Sequence, residues 1–567
     1  MMKRLNILIL LGGDLVLKKS LVVILALLIA ATALAGCGQK PAEQGKEEQP
    51  QTEASKILRV GVMSNPPKLD PVFATDTSSS RVIYQIFETL VDYDNEGNVQ
   101  PLLAESWDIS EDALEYVFHL RKGVKFHSSV AGEPTANGGR EVTADDWIWS
   151  FNYILNPDTN SPRAYFLDMI KGYEDYQEKK TEQIAGISKV DDYTIKIELD
   201  YPFAPFLSIL AYNTFNVLPK EDVEKHGTDQ FNFHPVGTGP FKFEEWIQDD
   251  KIVLSKNENY WAKDENGNQL PYLDGVEFGI VTDLAMQWTE FGLGNFDIIE
   301  EVDDPYYNEA KEMPNFIERA ELGTYYYGFN LTMAPFKDNK PLRQAFNYAI
   351  DRQGLIDIVK NGRALPASGA LPPGMMGYDE NIEPKYTYDV EKAKALLKEA
   401  GYPNGIKVEL TYNTSDAHKR IAEALQAQFK KAGIDVSLKN IDWGALLDAA
   451  DRLEVPFFRM GWVADYPDPD NFLYVLLHSN NIGPNGNYTG FSNKDFDEIT
   501  MKARIETDPA VREELYKKAE SIAREEAPWL FIYHYTTHGL AQPYVKNMRV
   551  PFFGAYSLKY TNLDIEK

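Results

Sequence analysis

One arginine and one aspartate interrupt an apolar, strand-like stretch, Phe457-Phe458-Arg459-Met460-Gly461-Trp462-Val463-Ala464-Asp465. Side chains of an extended chain alternate between two faces, so the even spacing of Arg459 and Asp465 puts both charges on the same face. Charges in such apolar company are costly unless paired. A zwitterionic peptide offers a partner to each. Gly461, between them, lacks a side chain and would let another backbone approach closely. Trp462 reads equally as pocket wall or core. The structural alternatives are a salt bridge for Arg459 and a turn aspartate capping the next helix for Asp465.

The other reactive residue types do not assemble into a catalytic pattern. The sequence contains no G-x-S-x-G elbow, H-E-x-x-H helix, Walker loop or S-x-x-K pair. His534 and His538 are four apart, a metal spacing only on a helix, whereas Phe531 to Thr537 is aromatic and β-branched and reads as a strand. Asp468 and Asp470 fall in Asp465-Tyr466-Pro467-Asp468-Pro469-Asp470, where the prolines and the missing glycine speak against a calcium loop. They read as solvated turn aspartates. Cys37 is the only cysteine, which excludes internal disulfides, thiol catalysis in the body and cysteine metal sites. No cofactor, metal site or enzymatic activity is expected.

The elements that must position the charged pair alternate between strand and helix. Lys56 to Val62 and Thr194 to Leu199 read as strands. Thr143 N-caps an aromatic helix, Trp147 to Leu155. Asp389 caps a helix that runs to Ala400 and stops at Gly401. The strand Ile406 to Tyr412, the helix Ala417 to Ala432 and the strand Asp435 to Asn440 then follow as a βαβ-like unit, which argues for α/β architecture. No fixed repeat and no Pro/Ser linker divides the body.

The 567 residues, 44 % of them hydrophobic, provide for two or more packed lobes. The net charge of −29 is spread along the chain and would repel phosphate backbones, which excludes nucleic acid as a partner. At the N-terminus, Lys18 and Lys19 precede the apolar run Leu21 to Ala35, which leads into Leu34-Ala35-Gly36-Cys37. The run is shorter than the roughly 20 residues of a bilayer span and reads as a secretion signal ending in a lipobox, with Cys37 acylated after cleavage. Translation is expected to begin near Val16 or Leu17, since Gly12-Gly13-Asp14 can be encoded by a ribosome-binding sequence. Gly38 to Ser55, rich in Gln, Glu, Lys and Pro, reads as a flexible tether. The expected location is the outer face of the cytoplasmic membrane or the periplasm, held there by lipid.

The segment Arg459 to Pro469, with Gly461-Trp462-Val463-Ala464-Asp465-Tyr466-Pro467-Asp468-Pro469, resembles the ligand-binding segment of bacterial oligopeptide- and dipeptide-binding proteins of ABC importers, solute-binding protein family 5. Further blocks agree in order: Lys68-Leu69-Asp70-Pro71, Leu102 to Trp107, Leu120 to His127, Thr143-Ala144-Asp145-Asp146, Val236 to Phe241, and Tyr325-Tyr326-Tyr327-Gly328-Phe329-Asn330. The resemblance extends from about Ile57 to the end of the chain.

It implies an α/β, two-lobed, periplasmic-binding-protein-like (Venus flytrap) fold with an extra domain inserted in the first lobe. By that likeness 1–36 is the signal peptide and 37–55 the tether. Domain I is discontinuous over 56–80, 201–322 and 529–567, 81–200 is the inserted domain II, and 323–528 is domain III, the second lobe. The resemblance also implies roles: Asp465 for a peptide α-ammonium, Arg459 for its carboxylate, Gly461, Trp462 and Val463 for antiparallel pairing with its backbone, and Thr75, Asp76 and Thr77 for pairing on its other side. The expected partners are a short peptide and the transmembrane permease subunits, with the chain itself a monomer. Oligosaccharides and metal chelates bound on the same fold, or a secreted hydrolase, are the alternatives.

Overall fold

Three parallel strands in one half of the main sheet and two in the other end at one crevice, and their packing explains the rest of the architecture. The computed structural model describes residues 55–567 apart from 95, 96, 507 and 552. The signal segment 1–36, the acylation site Cys37 and nearly all of the tether 37–55 lie outside the described residues.

In the first half of the sheet, Ile57–Val62 lies parallel between Gly275–Ile280 and Ile298–Ile299, with Val60 opposite Ile298. Lys251–Lys256 and Phe241–Ile247 add antiparallel strands at the outer edge. In the second half, Ile406–Asn413 and Ile434–Ile441 are parallel, with Ile406 opposite Ile434, and the helix Asp416–Lys431 crosses between them. The expected βαβ unit is present. Ile434–Ile441 alternates buried and exposed residues, so it has one apolar face to cover, and this crossover helix turns Ala417, Ile421, Ala422, Leu425 and Phe429 inward.

Two long antiparallel strands, Phe316–Phe329 and Trp529–Ala541, join the halves into one continuous sheet. Their register shifts at two places: between Tyr325, which faces Tyr533, and Tyr326, which faces Phe531, and more widely where Ala320 faces Thr536 and Thr324 faces His534, so that Glu321, Leu322 and Gly323 are set against Tyr535 alone. A bulge of this kind bends the strand and raises its local twist. The sequence between 104 and 198 forms a separate four-stranded antiparallel sheet, in the order Ala104–Ile109, Glu115–Leu120, Thr194–Glu198, Ile187–Asp191.

Local chemistry sets the element ends. Thr143 caps the helix Ala144–Ile154 in a capping box whose Asp146 carboxylate accepts the Thr143 amide at 2.8 Å. Asp389 caps Val390–Glu399 by accepting the Lys392 amide, and Gly401 follows with φ of +93°, a conformation that a side chain disfavours.

Candidate functional site

Open α/β sheets bind ligands outside the carboxyl ends of their strands, and here those ends converge. Val62, Ile280 and Ile299 lead from one half into Ser64, Thr282 and Glu301, while Asn413 and Ile441 lead from the other into Thr414 and Trp443. All five of the latter residues line one cavity of about 730 Å³, closed at its back by Tyr325 and Tyr535 of the two crossing strands. That volume lies within the range of small-ligand sites, about 300–1,000 Å³.

The strand Phe457–Val463 supplies the cavity's most distinctive wall. One of its edges pairs along its whole length with Phe316–Phe329, Tyr325 opposite Gly461. The other edge meets Ile406–Asn413 only at Thr411 opposite Phe458. Because the Ala464 amide donates to the Leu322 carbonyl at 2.8 Å, the antiparallel alternation makes Trp462 and Met460 the hydrogen-bonded partners of the crossing strand. The main-chain groups of Gly461 and Val463 therefore point to the open edge, where a further strand can add.

The sequence-predicted residues distribute as follows. Arg459, Val463 and Thr77 line the cavity; Thr75, Asp76, Gly461, Trp462 and Asp465 are not among its lining residues. Arg459 lies 4.7 Å over the Tyr325 ring and reaches Asn413 Oδ1 at 3.4 Å. Its Nε is buried without a hydrogen-bond partner, and no carboxylate among the described residues pairs with it. The structural salt bridge considered for Arg459 is absent among the described residues. Asp465 follows one residue after Ala464, whose carbonyl receives the hydroxyl of the cavity-lining Tyr556 at 3.4 Å. Its amide donates to Asn471 Oδ1 at 2.8 Å. Burial pushes its carboxyl up to about 6, against the opposing pull of Arg163 and of hydrogen bonds from Asn471 and Tyr212.

Arg163 is the functional candidate that sequence reasoning missed: it gives Asp465 a cationic neighbour from the protein itself. Its side chain is fully buried, none of its three guanidinium nitrogens has a hydrogen-bond partner among the described residues, and its charge acts on Asp465. Its local sequence, Ser161-Pro162-Arg163-Ala164, carries no periodicity that would announce burial.

Other expectations need correction too. The indole of Trp462 points away from Arg459 and Gly461, donates to Asn471 Oδ1 at 2.8 Å and lies 5.4 Å from Arg163, while its main chain pairs with the crossing strand at Thr324, so the open edge is left to Gly461 and Val463. The space at Gly461 is filled by a side chain: a Cβ there would run into the Tyr535 hydroxyl. Thr77 begins the helix Thr77–Ile86, and the Asp76 carboxylate caps it by accepting the Ser78 and Ser79 amides, so only the main chain at Thr75 and Asp76 can run extended. Asp465 does not cap the following helix, Asp470–Leu477, whose N-cap is Pro469. Asp468 and Asp470 are not solvated: Asp468 binds Arg512 at 2.6 and 2.8 Å, and fully buried Asp470 pairs with Arg504 at 3.1 Å and accepts from Tyr466. His534 and His538 lie on the strand Trp529–Ala541. Thr324 is 2.9 Å from His534, His538 accepts the Val302 amide, and burial lowers both imidazoles to about 3.

Comparison with known proteins agrees with this geometry. Residues 98–484 match the family model for bacterial extracellular solute-binding proteins, family 5. The heme-binding protein A of Haemophilus influenzae is 34 % identical, covering 93 % of this chain and 96 % of its own. The dipeptide-binding protein of Escherichia coli is 32 % identical, over 87 % of this chain and 92 % of its own. Among solved structures, the periplasmic binding protein DppA of Helicobacter pylori, in complex with the peptide STSA, superposes with a TM-score of 0.80 at 30 % identity, covering 90 % of this chain and 98 % of that one. Its two sheet halves, the strands that cross between them and the crevice at their carboxyl ends are thus those of the two-lobed periplasmic-binding-protein fold, and the chain belongs to the bacterial extracellular solute-binding proteins of family 5.

Proposed function

We propose that this chain is the substrate-binding component of an ABC importer for short peptides, held outside the cytoplasmic membrane by acylation of Cys37 and delivering its ligand to the permease as a monomer without catalysing any reaction. The observation that carries the reading is the edge of Phe457–Val463 left unpaired at Gly461 and Val463, beside a cavity of about 730 Å³ that Val463 and Arg459 line. Main-chain pairing gives affinity without reading side chains. The dipeptide-binding relative and the STSA complex support the same ligand class.

In this reading the peptide lies between Gly461–Val463 and the segment Thr75–Thr77. Its ammonium meets Asp465 and its carboxylate meets Arg459 in ligands of the right length. The lobes are 56–80, 201–322 and 529–567 on one side and 323–528 on the other, with 81–200 inserted. Arg459 favours a ligand with an anionic group over a neutral sugar, because a sugar leaves its charge buried and unpaired.

Mass spectrometry of the small molecules released from the purified, denatured protein tests the proposal. Peptides of a few residues are expected. Recovery of a haem or an oligosaccharide in their place, with no binding of added peptides, would overturn it.

A further inference from the structure

The charges on the cavity wall do not balance one another. Of its basic side chains, Arg81 is bonded to Glu300, and Arg363 and Lys360 are both engaged by Asp304, Lys360 at 3.5 Å. Glu300 also accepts from Tyr560 at 3.1 Å. Glu301 and Glu321 line the same cavity, and neither takes a hydrogen bond or an ion pair from any described residue, although the charges of Lys360, Arg363 and Arg459 act on Glu301 from further away. Glu301 follows the strand Ile298–Ile299, whereas Glu321 projects from the bulge of the crossing strand and lies against Gly554. They are close enough that, after burial, the charge of Glu301 is what holds the Glu321 carboxyl up, at about 8.

A further buried group belongs to the same cavity wall. Gln287 is 1 % exposed and lines the cavity; its Nε2 is committed to the Val281 carbonyl at 2.6 Å, which orients the amide and leaves Oε1 buried without a partner. A carboxyl held at about 8 keeps its proton at neutral pH, so Glu321 is neutral until a cation arrives and it ionises against that charge; once ionised, the two carboxylates and the amide oxygen offer acceptors only. Taking such groups out of water is costly unless a donor, best a cationic one, arrives with the ligand.

We propose that Glu301, Glu321 and Gln287 form a side-chain subsite that selects peptides carrying a lysine or arginine side chain. The inference rests on the peptide reading above and adds the substrate class. Strand pairing leaves side chains to their pockets, and this pocket is built for a basic one.

Calorimetric titration of the whole protein with trialanine, with the three tripeptides carrying one lysine among alanines, and with their norleucine counterparts tests it. At one position lysine is expected to bind roughly tenfold or more tighter than norleucine, as desolvated charge pairs at interfaces do. The preference should vanish in the Glu301→Gln, Glu321→Gln double variant, while trialanine binds that variant at least as well as the parent, which also reports on its folding. Cadaverine, an ammonium without a peptide backbone, should give no comparable binding.

Norleucine equal to lysine at every position, with trialanine still bound, would overturn the subsite and leave the peptide function standing. Failure of every peptide to bind would overturn both. A uniform loss for all peptides in the Gln variant would overturn the subsite as well, since it would make Glu301 a partner of Arg459 across the cavity. Cadaverine binding as tightly as the lysine peptides would likewise make this an amine site with no role in peptide selection.

Discussion

The hydroxyl of Tyr535 occupies the space that Gly461 leaves by having no side chain, and the same ring lies over Gly323 on the neighbouring strand. Two glycines opposite one tyrosine let the crossing strand and the ligand-facing strand pack around the bulge. Gly461→Ala should therefore be destabilising by about 1–3 kcal/mol, as overpacking is. Tyr535→Phe removes the colliding oxygen, so the double variant should recover about 1 kcal/mol in a mutant cycle. Thermal denaturation of the three variants checks this; strictly additive effects would mean that the tyrosine does not define the glycine.

Binding an ammonium at Asp465 requires the ionised carboxylate. Burial holds that group at about 6, so the affinity of a free-amino peptide should be flat above it and fall on the acid side, where protonation removes the anion. The fall approaches about tenfold per pH unit once protonation dominates. Arg163 opposes the shift, and its replacement in Arg163→Met should move the fall to higher pH. Calorimetry from pH 4.5 to 7.5 reads this; an N-acetylated peptide with the same pH profile as the free one would disprove it.

The halves of the sheet are joined by Phe316–Phe329 and Trp529–Ala541, with the bulge at Glu321–Gly323 where they cross. Hinge closure is the motion open to lobes joined in this way. Small-angle scattering should show a smaller radius of gyration with saturating trialanine. An unchanged radius would exclude closure.

Acylation of Cys37 would be the only covalent tie to the membrane. Cys37→Ala should release the protein from washed cells into the medium, detected by immunoblot. Full retention of the variant would place the anchor elsewhere.

Much of the fold was legible because local signals agreed with the tertiary outcome. Asp389, Thr143 and Gly401 mark helix ends by capping chemistry that acts within a few residues, and the strand–helix–strand order between 406 and 441 survives intact. The face shared by Arg459, Gly461 and Val463 follows from period-two alternation, which also places Trp462 on the opposite face. Arg163 was not legible, because its burial depends on packing against Trp462 and near Asp465, far along the chain. Nor were the partners of Asp468 and Asp470: a Pro-rich acidic turn looks solvated until Arg504 and Arg512 arrive from later helices. Glu301 and Glu321 are ordinary glutamates in sequence, and only the crevice brings them to one wall.

In the proposed complex the ligand is held as an added strand through its main chain. Calorimetric titration of tetraalanine and of its variants N-methylated at each peptide nitrogen in turn tests it most directly. Every methylation is expected to weaken binding by roughly tenfold or more, since each leaves a buried acceptor without its donor, while a neutral side-chain change such as alanine to serine alters it little. Methylated peptides that bind as tightly as the parent would rule out strand addition.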